Sequence, residues 1–295
     1  MAPRLVRALA SPASLKGVLS APEAAAALVA GFARAGVQAE ALPIADGGEG
    51  TAQVLGAREV SRARVHDAFG REHEAPVRRL PDRTAVVESA DAIPLDPARL
   101  DVLAASSRGL GELIAAAGEC PRLVVCLGGT ATMDGGAGLL EVLERLPAPT
   151  AVLCDTRATL LEAPRAFGPQ KGATEEQVAE LERRFAPLPN AGLAGGGAAG
   201  GLGAALASLG AELVPGAAYV LEAIGFRERA AVADLVVTGE GRVDATTFEG
   251  KAPGEAVRVC EELGVQCALF EAAALSGDPS RAREDLEALA AELTR

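Results

Sequence analysis

Acidic residues and glycines occur together directly after an apolar run in the segment Ile44-Ala-Asp46-Gly-Gly-Glu49-Gly50-Thr51. A plain surface turn does not need two uncompensated negative charges among three glycines, because Asn, Ser or Pro would form it equally well. Glycine lets backbone N–H groups approach a phosphate closely, and carboxylates can bind magnesium or accept a proton from a hydroxyl. The segment therefore predicts a binding or catalytic loop.

Four further loops carry a charged or hydroxyl residue, and three of them combine it with glycine. They lie at 128–136, 154–155, 168–172 and 238–244. Each of them alone could be an ordinary turn with a capping acid. Independent turns rarely repeat such a combination of glycine and charge, so the recurrence predicts a ligand site built from several strand ends, where α/β proteins bind their ligands.

The elements that must position these loops alternate between strands and helices. Strands are predicted from apolar runs at 5–10, 38–45, 122–127, 150–154, 234–238 and 265–270. Helices are predicted over 21–35, 50–55, 108–117, 138–146, 200–209, 254–263 and after Asp278, with capping boxes at Ser20 and Thr174. This alternation predicts the α/β class with a parallel sheet. Between residues 59 and 89, three alternating runs separated by turns predict an antiparallel excursion and hence a second domain.

Composition limits the classes of partner. The net charge of −12 and the isoelectric point near 4.8 argue against a nucleic acid or an anionic membrane, which require a basic face. The N-terminal segment has no apolar stretch typical of a signal peptide, and no run is suited to spanning a bilayer. The five cysteines show no CxxC spacing, which favours free thiols and a cytoplasmic location.

Several common catalytic motifs do not occur in the sequence. It contains no P-loop, no GxSxG nucleophile elbow and no HRD-type kinase loop. The run GGGAAG at 195–200 fits the dinucleotide fingerprint formally, but no strand precedes it, so we interpret it as a tight helix start packed through small residues. His66 and His73 lack acidic-ligand spacing and are expected to have surface or sheet roles.

Seven sequence blocks together indicate a family. They are SLKGVLSA at 14–21, PIADGGEGT at 43–51, GLGEL at 109–113, GGTATMDGGAG at 128–138, FGPQKGA at 167–173, AAGGLGA at 198–204 and TGEGRVDATTFEGK at 238–251. Through these blocks, which span most of the chain, the sequence resembles the bacterial type I glycerate kinases. The resemblance implies an enzyme that phosphorylates D-glycerate from ATP with Mg²⁺, with 2-phosphoglycerate as the expected product.

The resemblance also implies two α/β domains. One is flavodoxin-like or Rossmann-like, has a parallel sheet, and is expected to consist of residues 1–60 and 226–295. The other, residues 61–225, is expected to be an inserted mixed-sheet domain, with the active site in the cleft between the two. The sequence leaves open whether the protein forms a homodimer.

Carried onto this chain, the resemblance and the chemistry of phosphoryl transfer indicate a set of site residues. The catalytic candidates are Asp46, Lys16, Asp134 and Lys251. Candidates for binding substrate or nucleotide are Ser14, Gly47, Gly48, Glu49, Thr130, Lys171, Gly239, Arg242 and Asp244. The metal candidates are Asp155 and Glu240, and the carboxylate of Asp134 could also hold magnesium, with Asp244 in reserve.

The expected roles follow from charge. Lysine and arginine would neutralise the glycerate carboxylate or the ATP phosphates, and Asp46 and Glu49 would bind the glycerate hydroxyls or accept a proton from one of them.

The sequence departs from the usual pattern of the family in three places. The family usually has an aspartate two residues before the serine at position 14, and this chain lacks it. Met133 stands where the family usually has asparagine. Residues 154–159 read CDTRAT instead of a more acidic segment. The departures leave two alternatives to glycerate phosphorylation. One is a homologue that binds nucleotide or a small acid without turnover, and the other is a kinase for another small hydroxy acid.

Overall fold

The computed structural model describes residues 7–243, 245–248 and 250–294. The strands are β1 (Arg7–Pro12), β2 (Gln38–Ala41), β3 (Arg58–His66), β4 (Glu72–Arg79), β5 (Ala85–Glu88), β6 (Leu123–Leu127), β7 (Thr150–Cys154), β8 (Glu212–Pro215), β9 (Leu235–Glu240) and β10 (Gln266–Glu271). The helices are α1 (Ala21–Arg34), α2 (Thr51–Val54), α3 (Ser89–Ala92), α4 (Arg108–Ala117), α5 (Ala137–Val142), α6 (Ala163–Phe167), α7 (Glu175–Phe185), α8 (Ala198–Ser208), α9 (Gly216–Ala223), α10 (Phe226–Ala230), α11 (Ala252–Leu263) and α12 (Ala282–Glu292).

The chain folds as two compact units. Unit 1 consists of the described residues of Met1–Asp46 and Ala217–Arg295, and unit 2 consists of Gly47–Gly216. These divisions fall earlier in the chain than the boundaries expected from the sequence, at 60/61 and 225/226. The difference has a physical reason: the loop at Gly47 packs on Leu153 of unit 2, whereas α9 buries Leu221 in the same cluster as Phe226 of unit 1.

Unit 1 contains a four-stranded parallel sheet in the order β10-β9-β1-β2. Numbered along the chain within this unit, the order across the sheet is 2-1-3-4, as in the flavodoxin arrangement. Helices α1 and α12 cover one face, with Phe32 and Leu286 in its core, and α9, α10 and α11 cover the other, with Phe226 and Cys260. The predicted α/β class with a parallel sheet is confirmed.

The start of α1 follows the predicted capping box. The Ser20 hydroxyl accepts a hydrogen bond from the Glu23 amide, and the Glu23 carboxylate accepts one from the Ser20 amide at 2.9 Å. These bonds satisfy free N–H groups at the first turn of the helix. Because they depend on residue types three positions apart, the start of α1 could be predicted from the sequence. The corresponding box at Thr174 and Gln177 begins α7 at its predicted position.

Unit 2 contains a six-stranded mixed sheet in the order β3-β4-β5-β6-β7-β8. Strands β3, β4 and β5 pair antiparallel, as their alternating sequence predicted, and β5 to β8 are parallel. Its main core packs α4, α5 and α8 on the sheet through side chains such as Leu113, Val125 and Leu202. The carboxyl ends of the four parallel strands therefore meet at one edge.

The glycine run at 195–200 forms the tight helix start that we expected. Ala199, Gly200 and Gly201 all have positive φ, and the regular turns of α8 follow them. A side chain at Gly200 would lie 2.0 Å from the Thr132 carbonyl oxygen, so only glycine allows this close approach.

Two global expectations concern the cysteines and membranes. All five cysteines have free thiols, and Cys126, Cys154 and Cys260 are buried. Within the described residues, no helix combines the length and the apolar character needed to cross a bilayer.

Candidate active site

In unit 2, the glycines of the 47–50 loop allow it to contact the loop that follows β6. A Cβ atom at Gly128 would lie 3.0 Å from the Gly48 Cα, and one at Gly129 would lie 3.6 Å from the Glu49 carboxylate. A side chain at Gly128 would crowd the Gly48 backbone, whereas the approach of Glu49 to Gly129 is an ordinary van der Waals contact. The structure therefore brings Gly48, Glu49 and the start of the 128–136 loop together.

Glu88, at the end of β5, holds this loop in place. One of its carboxylate oxygens accepts a hydrogen bond from the Ala52 amide at 2.6 Å and the other accepts one from the Gly50 amide at 3.2 Å. Burial raises the pKa of Glu88, and these two backbone N–H groups act in the opposite direction. Ser89 links the neighbouring strand, because its hydroxyl donates to the Gly128 carbonyl at 3.0 Å and accepts from the Gly128 amide at 3.1 Å.

Lys171 lies beneath the same loops. Only 4% of its surface is exposed, and its ammonium donates to the Thr132 carbonyl oxygen at 2.8 Å and to the Thr130 hydroxyl at 3.4 Å. Burial lowers the pKa of Lys171 to about 8, although the carboxylates of Asp134 and Asp155 favour its charged form. An ammonium has three N–H donors, and these contacts use two of them. The group is therefore suited to holding an anion at the end of β6.

Asp134 has contacts typical of a structural residue. One carboxylate oxygen accepts from the Ser107 amide and hydroxyl, each at 2.8 Å, and from the Gly138 amide at 3.1 Å. The other accepts from the Gly136 amide at 3.0 Å. A carboxylate offers about four lone-pair positions. These bonds join the start of α4 to the start of α5, so they favour positioning over the catalytic and metal-binding roles expected from the sequence.

Asp155 directly follows β7 and is exposed. It lies at the same edge of the unit 2 sheet as the loop after β6, and its charge influences Lys171. Of the acids predicted for unit 2 as magnesium ligands, Asp155 is the one whose exposure suits a bound cation.

A cavity of about 630 Å³ in unit 2 adjoins Glu49. Charged residues of both signs line it: Glu49, Arg58, Arg78, Glu88 and Asp91. Arg78 and Asp91 form a salt bridge, and Glu88 is occupied by the backbone amides of the loop. Glu49 and Arg58 are the exposed charges of this cavity.

In unit 1, the predicted residues lie at the topological switch point of the sheet. The chain passes from β1 through α1 to β2 on one side, and from β9 through α11 to β10 on the other. Ligands of open α/β sheets bind in the crevice where the strand order reverses, at the carboxyl ends of the strands. Lys16 follows β1, and Arg242 follows β9, so the fold places both beside this crevice.

Lys251 immediately precedes α11, where the helix dipole also favours an anion. Its ammonium lies 3.8 Å from the carboxylate of Glu240, which also accepts a 2.8 Å hydrogen bond from the Thr247 hydroxyl. Lys251 and Glu240 thus form one charged group at the end of β9.

These side chains line a cavity of about 440 Å³, which we call the unit 1 cavity. Its lining includes the predicted residues Ser14, Lys16, Glu240, Arg242 and Lys251. Of the predicted residues of unit 1 that are charged or carry a hydroxyl and that the structure describes, all except Asp46 therefore line this cavity. Asp244 lies outside the described residues.

The other predicted residues of unit 1 have separate explanations. Gly239 is required by packing, since a Cβ there would lie 2.3 Å from the Phe270 carbonyl oxygen. Asp46 is half-buried. It lies at the carboxyl edge of the unit 1 sheet, because backbone pairing continues beyond β2 to Ile44, whose amide donates to the Pro12 carbonyl at 3.1 Å.

The metal prediction can be compared with the acids present. Among the described residues, no three His, Cys, Asp or Glu side chains converge as a metal cluster. Magnesium in nucleotide enzymes is usually held by one or two carboxylates together with substrate phosphates and water. Asp155 fits this role by its exposure, whereas Glu240 already faces Lys251 and Thr247.

Two residues of the site were missed by the sequence reasoning. Glu88 and Ser89 directly follow the apolar run of β5, so the rule that identified the other loops could have found them. The absence of glycine from that segment concealed them.

The fold and these contacts define an α/β ligand-binding protein whose strand ends combine lysine and arginine with carboxylates, the groups that phosphotransferases use. Comparison with known proteins specifies the family. The sequence profile of the glycerate kinase family matches residues 8–146 and 145–293. The chain therefore belongs to the glycerate kinase family, which confirms the resemblance and the predicted enzyme class.

Individual relatives agree with the profile. The chain is 36% identical to a glycerate kinase of Bacillus subtilis strain 168, over 84% of this chain and 80% of the relative. It is 35% identical to a glycerate 2-kinase of Escherichia coli K12, over 82% and 79%. A crystal structure assigned as glycerate kinase 2 from Salmonella typhimurium LT2 matches with a TM-score of 0.79 and 30% identity, over 98% of this chain and 97% of that one.

Proposed function

We propose that the protein transfers the γ-phosphoryl group of ATP to D-glycerate and releases ADP and 2-phosphoglycerate. The observation that carries this proposal is the buried ammonium of Lys171, held at the glycine loops by Thr130 and Thr132. Burying an amine costs free energy, which Asp134 and Asp155 offset in part, and a buried cation beside glycine loops at the strand ends is suited to an anionic ligand. Membership of the glycerate kinase family supports phosphate or glycerate carboxylate as that anion.

The cations of unit 1 supply the charge that phosphoryl transfer requires. Lys16, Arg242 and Lys251 line one cavity at the switch point. Phosphoryl transfer depends mostly on positioning the groups and on neutralising the charge of the phosphates, so such a set can act without covalent chemistry by the protein.

A carboxylate completes the proposed reaction. The attacking hydroxyl of glycerate forms a bond to the γ-phosphorus, its proton passes to a carboxylate, and the bond from phosphorus to the ADP oxygen breaks. Asp46 and Glu49 are the candidates for this carboxylate. Asp46 is half-buried, while Glu49 is exposed beside Gly129.

Magnesium is proposed to arrive with ATP. It would neutralise the β- and γ-phosphates, with Asp155 as the protein ligand supported by exposure and with Glu240 as the second candidate. The name of the Escherichia coli relative, glycerate 2-kinase, supports the 2-hydroxyl of glycerate as the acceptor.

One departure from the family pattern, Met133, has a structural explanation. Met133 is fully buried and packs in a cluster with Leu160 and Phe185. A hydrophobic side chain there contributes to the core, which explains how the chain accommodates it.

The direct test is to incubate purified protein with Mg-ATP and D-glycerate and to follow the products by ³¹P NMR. We expect resonances of ADP and 2-phosphoglycerate to grow together. Formation of 3-phosphoglycerate would reject the regiochemistry alone. Nucleotide binding without turnover would instead support the alternative of an inactive homologue.

Asp46→Asn should lower the rate by roughly 30- to 1000-fold if its carboxylate contacts the reacting glycerate, the usual cost of losing one charge-assisted contact in a transition state. Glu144→Gln controls for the loss of one carboxylate charge, because it removes an exposed acid outside the site. Equal turnover of both variants and the wild type would exclude Asp46.

A further inference from the structure

The unit 1 cavity has different chemistry at its two sides. Lys16, Arg242 and Lys251 belong to the loops after β1 and β9 and to the start of α11. Asp278 and Asp285 belong to the chain that follows β10. Because β10 is the outer strand and β9 and β1 are central, the three cations lie toward the middle of the sheet, together with Glu240, whereas Asp278 and Asp285 lie toward its edge.

Apolar side chains form much of the remaining lining. Leu15 and Val18 contribute from the segment after β1, and Ala273, Leu275 and Pro279 contribute from the segment after β10. Small-molecule sites are typically apolar clefts of about 300–1,000 Å³ with a few placed polar groups, and this cavity falls within that range. Such walls suit a flat heterocycle better than a small hydroxy acid, which offers little apolar surface.

The two acids are suited to binding hydroxyl groups. Asp278 accepts from the Ser280 amide at 2.9 Å and from its hydroxyl at 2.7 Å through one carboxylate oxygen. Asp285 likewise uses one oxygen for the amide and hydroxyl of Ser276. These bonds fix both carboxylates, and among the described contacts the second oxygen of each is available as an acceptor.

We propose that the unit 1 cavity binds the nucleotide of the proposed kinase. Its phosphates contact Lys16, Arg242 and Lys251, its base packs against the apolar lining, and its ribose hydroxyls donate to Asp278 or Asp285. This inference rests on the proposed function and specifies which unit holds the phosphoryl donor.

The cavity of unit 2 is a weaker candidate for the same ligand. Two arginines and three carboxylates line it, and its Arg78 is already paired with Asp91. The unit 1 cavity has three carboxylates as well, Glu240, Asp278 and Asp285, but it has three cations, so it offers a polyphosphate one more positive charge against the same number of acids. Comparison of the two cavities therefore places the nucleotide on unit 1.

The test measures ADP binding by isothermal titration calorimetry in the absence of glycerate, so it does not depend on turnover. Ala273→Trp would fill the cavity, and since Ala273 is exposed, a larger side chain can be accommodated there without unfolding the core. Ala274→Trp is the matched control, because Ala274 is the next residue, is also exposed, and lies outside the lining. Val18→Trp fills the cavity from its other side and serves if the first variant does not fold.

We expect Ala273→Trp to raise the Kd for ADP at least roughly tenfold and Ala274→Trp to leave it within about twofold. Tripolyphosphate, which has no nucleoside, should bind both variants alike, whereas Arg242→Ala should weaken both ligands. Unchanged ADP affinity in the folded cavity-filling variants, or no ADP binding by the wild type, would overturn the assignment. A protein that binds ADP in this cavity but does not phosphorylate glycerate would disprove only the proposed function.

Discussion

Burial of the Lys171 ammonium costs free energy, because water solvates an ammonium better than two protein oxygens do. Its pKa of about 8, compared with 10.5 for an ordinary lysine, corresponds to roughly 3 kcal/mol of destabilisation of the charged form. A residue that reduces stability in this way is usually kept for function.

Lys171→Met should therefore separate stability from activity. At neutral pH the variant loses the cost of burying the charge, so its free energy of unfolding should fall little or rise, while kcat/KM falls at least roughly tenfold through loss of an anion contact.

The same pair of proteins also tests the protonation of Lys171. Between about pH 8 and 10.5 the unfolded wild type binds the proton that the folded protein has lost, so wild-type stability should rise relative to the variant in this window. Denaturant unfolding of both proteins at several pH values measures the difference. A constant difference from pH 7 to 11 would show that Lys171 titrates normally.

Asp134 and Asp155 should respond oppositely to replacement by asparagine. Asp134→Asn disrupts bonds to Ser107, Gly136 and Gly138 and should lower the free energy of unfolding by roughly 1–3 kcal/mol. Asp155→Asn removes an exposed carboxylate that favours the charged form of Lys171, so it should lower stability less than Asp134→Asn while raising the Mg²⁺ concentration needed for half-maximal rate. A magnesium effect confined to Asp134→Asn would reverse the two assignments.

At the scale of elements, the position of the 47–50 loop depends on a strand distant in sequence. Glu88, only 5% exposed, binds the amides of Gly50 and Ala52 across the start of α2. Helix α2 has only four residues and no side-chain cap of its own, so these tertiary bonds stabilise its first turn.

Glu88→Gln should loosen this loop, because an amide side chain has one carbonyl oxygen for two N–H donors. We expect hydrogen exchange at the amides of Gly50 and Ala52 to accelerate at least roughly tenfold, with exchange in β6 unchanged as an internal control. Unchanged exchange at Gly50 and Ala52 would mean that glycine packing alone holds the loop.

Sequence reasoning predicted those elements whose signals are local. The capping box at Ser20 and the continuous apolar run of β7 each defined an element that the structure contains. Strand β8 and helix α9 were missed, because a strand of four residues is too short to show a clear apolar pattern, even though Pro215-Gly216 marks its end. The left-handed residues at the start of α8 depend on close approach to Thr132, which no local pattern reveals.

At the scale of the whole molecule, the sequence identified the loops that carry the site but not the partners of each side chain. Lys16, Arg242 and Lys251 were predicted as cations, and only the strand order of unit 1 shows that they line one cavity. Asp134 was expected to be chemically active, and its saturation by backbone and hydroxyl donors could not be inferred from spacing. Hydrophobic periodicity predicts helices and strands, but it does not predict which side chains of distant loops contact each other.

Glycerate phosphorylation is tested by the initial rate of ADP release from the purified protein with Mg-ATP, comparing D-glycerate, L-glycerate, related hydroxy acids and no acceptor in parallel. We expect ADP release that depends on D-glycerate and exceeds the release with every other acceptor. ADP release that is absent or independent of D-glycerate would contradict it, and faster release with another hydroxy acid would identify a different substrate for the same fold.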